Sequence, residues 1–368
     1  MKNNTRHYFL LNPAAGQGKA LGLEKKIWKA ADEVGIEPVI HITKYPGEAE
    51  EYIRSVCEEV FGENDQLFSP GEEERSEGAN PGSTPGSVLR FYACGGDGTF
   101  NEVVNGCYGF MSEKDGRDKA GDGNVGGDIL FDRGNIEVAN IPVGTGNDFI
   151  RNFDDAGDFR DIALQMRSSA RPCDLIRYSG MCDGAYTTKY SANMFNIGFD
   201  CNVVDKTDSL KKKPLLFGPM AYLAGVGIML IRKEGADLKV EFDDGFVYDG
   251  KMLLIAIANG CFCGGGVKGI PKAVTDDGLI DVSLIKDTSR RNFVRLFPKY
   301  SKGTHLEDPR TDELIIYKKC RSLTVTPNND EMKLCIDGEI SMAGEMKFEI
   351  VPGAIRFVVP DHKEEEGK

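Results

Sequence analysis

The chain has 368 residues, of which 40% are hydrophobic and 28% are charged, a composition that fits a globular protein of two domains. Its formal net charge of −13 argues against nucleic acid as a partner, because no general positive field would attract a phosphate backbone. Its ten cysteines stand mostly in apolar segments, and the first residues contain no secretory signal. We therefore expect buried thiols in a reducing cytoplasm.

The N-terminal part of the chain alternates between predicted strands and amphipathic helices. Strands are predicted at 8–11 and 38–43, and helical spacing of apolar residues follows each of them. The turn at 12–19 is rich in small residues and could present backbone amides to phosphate groups, although a plain strand-to-helix turn fits it equally well. Thr43 ends the second strand, at the edge where open α/β sheets bind ligands.

The stretch 88–106, VLRFYACGGDGTFNEVVNG, organises this domain. It reads as a buried strand, a glycine-rich turn and a helix, an arrangement that can hold a polyphosphate against exposed amides and a helix N-terminus. Asp97 would repel such a ligand unless a divalent cation lay between them, which predicts a nucleotide site that works with Mg²⁺. A strand-to-helix turn capped by Asp97 or Thr99 is the alternative.

A second glycine-bearing turn, VGTGNDF at 143–149, follows a strand predicted at 136–142 and is expected to open another helix. It again carries a hydroxyl, Thr145, and a carboxylate, Asp148. Two such turns at the carboxyl ends of two strands would face each other across that edge of the sheet and form one nucleotide crevice. The strand and helix alternation up to residue 168 predicts a doubly wound sheet.

After residue 172 the pattern changes to short strands separated by turns, which is typical of an antiparallel sandwich or barrel. We predict an α/β domain at 1–168, to which 351–368 returns, and a β-sandwich domain at 169–350. The segments 62–87 and 112–134 are predicted to be surface insertions. The predicted strands of the second domain are 173–178, 187–195, 238–242, 251–258, 279–285, 314–317, 322–326, 333–336 and 347–350.

Two segments of the second domain bear on membranes. The apolar stretch 215–231 is at the short limit for a bilayer span, and a buried helix is the favoured interpretation. It could also line an apolar substrate pocket with Lys211, Lys212 and Lys213 at its mouth. The stretch 289–302 interleaves basic and aromatic residues, so it could be a helix on an anionic lipid surface or a solvated helix with its aromatic side in the core.

The motifs GGDGTFNE at 95–102, NPAAGQGKA at 12–20 and VGTGNDF at 143–149 together resemble the diacylglycerol kinase catalytic-domain family, which includes bacterial lipid kinases and sphingosine kinases. GGDGT also occurs in NAD kinases, but its extension through 100–106 and the N-terminal Asn-Pro favour the lipid branch. The resemblance implies a nucleotide domain of the phosphofructokinase and NAD kinase type, followed by an antiparallel β-sandwich domain.

The resemblance also implies site residues. Asp337, in the segment CIDGE, would be the general base, and Asp97 and Glu339 would hold the catalytic Mg²⁺. Without the resemblance, Asp337-Gly338 is a hairpin signal. The implied ATP contacts are Asn12, Pro13, Ala14, Ala15, Gly16, Thr43, Gly95, Gly96, Asp97, Gly98, Thr99, Phe100, Asn101, Glu102 and Thr145.

A structural Mg²⁺ site is implied at residues 274–279, VTDDGL. Asp277 would be a side-chain ligand, and Val274 and Leu279 would be carbonyl ligands. Because Val274 has no polar side chain, we expect this site to be weak. Asp148 and Asp174 resemble acidic positions that link this metal to the active site. Asp200 lies where sphingosine kinases contact the lipid headgroup, although a structural role fits it equally well.

The sequence thus predicts an ATP- and Mg²⁺-dependent kinase that phosphorylates a lipid hydroxyl, with diacylglycerol as the favoured acceptor. The alternatives are a soluble-acceptor kinase of the NAD kinase type and a nucleotide-binding regulator without turnover. The expected partner is a lipid at the membrane surface, contacted peripherally from the cytoplasm at the inner membrane face. A homodimer is one candidate assembly.

Overall fold

A computed structural model describes residues 5–61, 88–114, 135–199 and 235–361. The predicted apolar helix at 215–231, Asp200, the lysines 211–213 and almost all of both predicted insertions lie outside these residues. The contacts divide the chain into two compact units. The first comprises Met1–Val143, Gly157–Pro172 and Ile355–Lys368, and the second comprises Gly144–Ala156 and Cys173–Ala354.

The first unit contains a parallel sheet in the order β4-β3-β1-β2. Its centre is apolar on both faces, and Phe9 on β1 stacks against Tyr92 on β3 with ring centroids 4.1 Å apart. Such continuous burial is typical of parallel strands covered by helices. The strands are β1 (Thr5–Leu11), β2 (Pro38–Ile42), β3 (Val88–Gly95) and β4 (Ile136–Pro142).

Four α-helices belong to the described part of this unit. Helix α1 turns Ile27 and Ala31 into the core and ends at Gly35, whose left-handed φ of 74° closes the helix. Helix α4 is capped by Asp161, which accepts a hydrogen bond from the amide of Leu164 at 2.9 Å. The helices are α1 (Leu23–Val34), α2 (Glu48–Phe61), α3 (Asp97–Lys114) and α4 (Ile162–Arg167).

The second unit is built from antiparallel strands, and six of them form a closed ring. Around the ring, β9 pairs with β7, β7 with β13, β13 with β14, β14 with β12, β12 with β8, and β8 with β9. Its strands are β5 (Ala170–Cys182), β6 (Ala185–Ser191), β7 (Met194–Gly198), β8 (Ala236–Phe242), β9 (Val247–Ala258), β10 (Ile280–Lys286), β11 (Ile315–Cys320), β12 (Ser322–Pro327), β13 (Met332–Ile336) and β14 (Glu339–Val358).

Alternate residues of these strands form one apolar core, in which Phe195, Ile257, Val325 and Phe348 are almost fully buried. Closing the sheet on itself removes exposed edges from the ring. An N-terminal α/β domain followed by a C-terminal antiparallel β domain confirms the predicted fold class. A separate helix, α5 (Arg290–Lys302), follows β10.

Three predicted elements differ from the structure. The strand predicted at 187–195 is two strands, β6 and β7, because the amide of Asn193 bonds to the hydroxyl of Ser191 at 3.2 Å and turns the chain between them. The strand predicted at 347–350 is part of one long strand, β14, whose end pairs in parallel with β4. The helix expected after 143–149 is only a 3-10 turn at Phe149–Asn152.

Candidate active site

The loops after β1, β3 and β4 meet at the carboxyl edge of the parallel sheet. The amide of Asn12 donates to the carbonyl of Cys94 at 3.2 Å, and the amide of Val143 donates to the carbonyl of Gly95 at 2.9 Å. These bonds continue the ladder beyond the strands and hold the loops side by side. The edge is the one at which open α/β sheets bind ligands.

Asn12 connects two of these loops through its side chain. Its Nδ2 donates to Thr99 Oγ1 at 3.0 Å, while its Oδ1 accepts from the amide of Ala14 at 3.0 Å. The second bond shapes the turn that begins at Pro13, and the first ties that turn to the start of helix α3. Asn12 and Thr99 were both predicted as ATP contacts, and the structure brings them into contact with each other.

Glycine is required here for close packing. A Cβ on Gly95 would lie 2.2 Å from Thr99 Oγ1, and a Cβ on Gly16 would lie 2.3 Å from the carbonyl oxygen of Val143. Gly16 also has a left-handed φ of +59°. The loops after β1 and β4 can therefore approach each other only because Gly16 has no side chain, and the turn into α3 can close only because Gly95 has none.

Helix α3 begins at Asp97, directly after the glycine turn. Its first backbone bond runs from the amide of Phe100 to the carbonyl of Gly96 at 3.0 Å, so the earlier amides have no carbonyl acceptor within the helix. Gly96, Asp97 and Gly98 are half-buried. These amides and the helix dipole favour an anion at this end of α3.

The remaining predicted ATP contacts of this unit differ in their surroundings. Thr43 is buried, and its hydroxyl donates to the carbonyl of Leu11 at 3.2 Å. Phe100 is buried and meets Phe357 edge-on with ring centroids 5.6 Å apart. Asn101 is half-buried on α3, where its Oδ1 accepts from Asn105 Nδ2 at 3.0 Å, and Glu102 is half-buried beside it.

Thr145 and Asp148 belong to the second unit, although the strand that precedes them belongs to the first. Asp148 Oδ2 accepts from the amide of Gly265 at 2.9 Å, and Asn152 Oδ1 accepts from the amide of Cys261 at 2.6 Å. These bonds fasten the segment 144–156 to the loop after β9. Thr145 is exposed on this segment.

Asp337 and Gly338 form the two-residue turn between β13 and β14. Their φ angles are 47° and 97°, and Ile336 pairs directly with Glu339, as in a type I′ hairpin. The hairpin that the residues alone predicted is therefore present. Glu339 is exposed at the first position of β14.

The carboxylate of Asp337 is held from both sides. Its Oδ2 accepts from the hydroxyl of Ser191 at 2.7 Å, and its Oδ1 accepts from the amide of Met194 at 3.0 Å. The backbone amide of Asp337 in turn donates to the carbonyl of Met194 at 3.1 Å. Ser191, which the sequence analysis did not single out, thus contacts a predicted site residue. Asp337 and Glu339 lie in the second unit, and Asp97 lies in the first.

The loop at 274–279 is tied to Asp174. The Asp174 carboxylate accepts from the amide of Gly278 and from that of Gly353, each at 2.7 Å, and its own amide donates to the carbonyl of Thr275 at 2.8 Å. Burial raises the pKa of Asp174, and the two amide bonds oppose that rise. Within the described ranges, no group of three His, Cys, Asp or Glu side chains is placed to hold a metal ion.

Asp277, the predicted side-chain ligand of that loop, already has partners on both oxygens. Its Oδ1 accepts from the amide of Leu279 at 3.1 Å, and its Oδ2 lies 2.6 Å from Lys319 Nζ. Val274 is exposed and adds no polar side chain.

Among the helices that the structure describes, none combines the length and the apolar character that a membrane span needs.

Two family profiles match the chain. The family described as "Diacylglycerol kinase catalytic domain" matches residues 79–178, and the one described as "YegS C-terminal NAD kinase beta sandwich-like domain" matches residues 193–359. Solved structures of a diacylglycerol kinase and of a putative diacylglycerol kinase from Bacillus anthracis share the fold. Their sequences are 20% and 22% identical to that of this chain, and their TM-scores are 0.61 and 0.64. Each superposition covers 96% of this chain and 96% of the solved structure.

Curated relatives agree with these profiles. A "Probable lipid kinase YegS-like" of Alcanivorax borkumensis is 30% identical over 249 residues, which are 66% of this chain and 77% of that protein. A diacylglycerol kinase of Staphylococcus aureus is 28% identical over 250 residues, which are 67% of each protein. The resemblance of the sequence motifs is thereby confirmed, and the chain belongs to the diacylglycerol kinase catalytic-domain family of lipid kinases.

Proposed function

We propose that the protein transfers the γ-phosphoryl group of ATP to the hydroxyl of diacylglycerol or a closely related lipid, with Mg²⁺. The observation that carries this proposal is the carboxylate of Asp337, presented on a tight turn and oriented by the hydroxyl of Ser191 and the amide of Met194. A carboxylate fixed in this way suits the task of accepting a proton from a hydroxyl.

In the proposed reaction, the lipid hydroxyl oxygen forms a bond to the γ-phosphorus, and the bond from that phosphorus to the β–γ bridging oxygen breaks. ADP departs with the electron pair of the broken bond, and the hydroxyl proton passes to the carboxylate of Asp337. The products are the lipid phosphate, ADP and a proton. Such a transfer asks the protein mainly for positioning and for neutralisation of charge.

The nucleotide phosphates are assigned to the glycine turn at the start of α3. Amides of Gly96, Gly98 and Thr99 would face them, and the bond from Asn12 Nδ2 to Thr99 Oγ1 would keep the neighbouring loop in register. Lys19 is exposed on the turn at 12–19, and its ammonium group would be able to reach a bound phosphate. Carboxylate oxygens suit Mg²⁺, so Asp97 and Glu339 would hold the ion, which neutralises phosphate charge when it is bound.

Diacylglycerol is the favoured acceptor because a diacylglycerol kinase and a lipid kinase are among the relatives. The test is to incubate the purified protein with labelled ATP and, in separate reactions, with dispersed diacylglycerol, other lipid alcohols and NAD. We expect label in the lipid phosphate of the diacylglycerol reaction and none in the NAD reaction. Label in NADP would favour the soluble-acceptor alternative, and no label in any acceptor would favour a regulator without turnover.

We assign peripheral contact with the inner face of the membrane to helix α5. Its Phe293, Leu296 and Tyr300 are buried in a core cluster, which agrees with the solvated-helix interpretation of the sequence. Its basic side chains are still exposed and interspersed along 13 residues. We propose that they attract anionic lipid headgroups electrostatically, without insertion of the aromatic side chains. The exposed basic residues are Arg290, Arg291, Arg295 and Lys302.

A further inference from the structure

A lysine contacts the carboxylate that the sequence analysis predicted as the side-chain ligand of a metal ion. Lys319 Nζ is 2.6 Å from Asp277 Oδ2 and 3.0 Å from Asp281 Oδ2, so one ammonium group bridges two carboxylates. Asp277 precedes β10, Asp281 is on β10, and Lys319 is on β11. No local sequence signal links this lysine to the loop, because it is 42 positions away from Asp277.

The fold dictates the position of Lys319. β10 and β11 are antiparallel neighbours, and Asp281 is directly opposite Lys319 in their register. Directly opposed residues of opposite charge stabilise such a pair of strands. The side chain of Asp281 is fully buried, and its second oxygen, Oδ1, accepts from the hydroxyl of Tyr317 at 2.5 Å. The buried carboxylate thus has a neutral donor on one oxygen and a cation on the other.

The predicted side-chain ligand of this loop already has a partner on each oxygen. Mg²⁺ takes about six oxygen ligands in near-octahedral geometry, of which several are usually waters and at least one is a carboxylate. Here one oxygen of Asp277 accepts from the amide of Leu279, the other contacts Lys319, and Val274 adds no polar side chain. A divalent ion at Asp277 would have to displace the ammonium group. Moving Lys319 away would leave Asp281 charged and buried without its cation, which is strongly unfavourable.

We propose that the Lys319 ammonium group is the resident cation of this loop and that it replaces the predicted structural metal. Residues 274–279 are then held by a cation built into the chain. The loop is linked onward, because Gly278 donates to Asp174, which also accepts from the amide of Gly353 on β14. The order of this part of the second unit is therefore independent of the Mg²⁺ concentration, whichever acceptor the enzyme phosphorylates.

The test compares thermal unfolding of nucleotide-free full-length protein in EDTA and in saturating MgCl₂. The variants are Asp277→Asn, Lys319→Met and the control Lys318→Met. Lys318 directly precedes Lys319 on β11 and pairs with the exposed Asp244. We expect Mg²⁺ to shift the Tm of the wild type and of Asp277→Asn equally. Lys319→Met should lower the Tm by about 5 °C or more in both solutions, because it leaves Asp281 unpaired. Lys318→Met should lower it by less.

A saturable rise in Tm with Mg²⁺ in the wild type that Asp277→Asn abolishes would overturn the proposal, because it would identify Asp277 as a metal ligand. An unchanged Tm in Lys319→Met would overturn it as well. If Lys319→Met does not fold, the comparison of the wild type with Asp277→Asn still decides the question. None of these measurements depends on kinase activity.

Discussion

The hydroxyl of Ser191 donates a hydrogen bond to the carboxylate of Asp337, with 2.7 Å between Ser191 Oγ and Asp337 Oδ2. The same hydroxyl oxygen accepts a hydrogen bond from the amide of Asn193, and this bond turns the chain between β6 and β7. One buried side chain thus turns the chain and orients the proposed general base. The strand break at 192–193 and the orientation of the Asp337 carboxylate therefore depend on the same atom.

Replacement of Ser191 by Ala should lower kcat by roughly 10-fold to 100-fold, because a hydrogen bond to a charged group contributes about 1.5–3 kcal/mol. The KM for ATP should not change. Since the hydroxyl stabilises the ionised carboxylate, its loss should also move the acidic limb of the kcat–pH profile to higher pH. A purely structural role would lower stability without moving that limb, and an unchanged kcat would exclude Ser191 as a positioning residue.

Replacement of Gly16 by Ala should separate the loops after β1 and β4, because the new Cβ would lie 2.3 Å from the carbonyl oxygen of Val143. We expect a higher KM for ATP and a loss of about 2–4 kcal/mol of unfolding free energy. Gly18→Ala is the matched control, since Gly18 also has a left-handed φ but open space around it. The control should lose only about 1–2 kcal/mol. Equal effects of the two substitutions would contradict the packing argument.

Replacement of Arg290, Arg291 and Arg295 by Ala should weaken binding to anionic vesicles by at least about tenfold, since each basic residue near such a surface contributes about 1 kcal/mol. Vesicle pelleting at low and physiological salt measures this, and salt should reduce the difference. Replacement of the exposed Lys25, Lys26 and Lys29 of α1 by Ala removes the same charge from another helix and serves as the control. Equal losses in both triple variants would exclude a specific role for α5.

Acid should destabilise the protein through its buried histidines. Burial lowers the pKa of His7, and likewise that of His305, from 6.5 to about 4. As the pH falls, the unfolded chain therefore takes up protons at a higher pH than the folded protein does. Each neutral buried histidine makes its full contribution to the unfolding free energy above pH 6.5, and this contribution is lost as the pH falls toward 4. Linkage gives a loss of about 2 kcal/mol per histidine between pH 7 and pH 5.

Urea unfolding at these two pH values tests the argument. His305→Gln should be less stable at pH 7 but should lose about 2 kcal/mol less than the wild type on going to pH 5. His7→Gln should behave in the same way, although it also loses the bond between His7 Nδ1 and the hydroxyl of Tyr92. The same pH slope in a variant and in the wild type would show that the histidine is not the group that titrates.

The features that could be predicted from the sequence depend on short-range signals. Apolar runs that end in glycine turns predicted β1, β3 and β4, and the dipeptide Asp337-Gly338 predicted the hairpin between β13 and β14. These signals act over a few residues, because strand formation and turn geometry depend on local φ and ψ preferences and on the alternation of burial.

The contacts that complete the site join distant parts of the chain and leave no local trace. Ser191 and Asp337 are 146 positions apart, and Asp148 bonds to the amide of Gly265, 117 positions away. The metal at Asp277 was implied by the resemblance of one loop to the family, whereas the lysine that contacts Asp277 comes from a neighbouring strand. Such pairs depend on strand order and register, which short sequence patterns do not specify.

Turnover and ATP binding of Asp337→Asn together test the account most directly. Asp183→Asn is the matched control, since Asp183-Gly184 also forms a turn with two positive φ angles, between β5 and β6. We predict that Asp337→Asn loses about 10²- to 10⁴-fold in kcat with diacylglycerol while its Kd for ATP is unchanged, and that Asp183→Asn retains normal kcat. A fully active Asp337→Asn enzyme would contradict the assignment of Asp337 as the base on which the proposed mechanism depends.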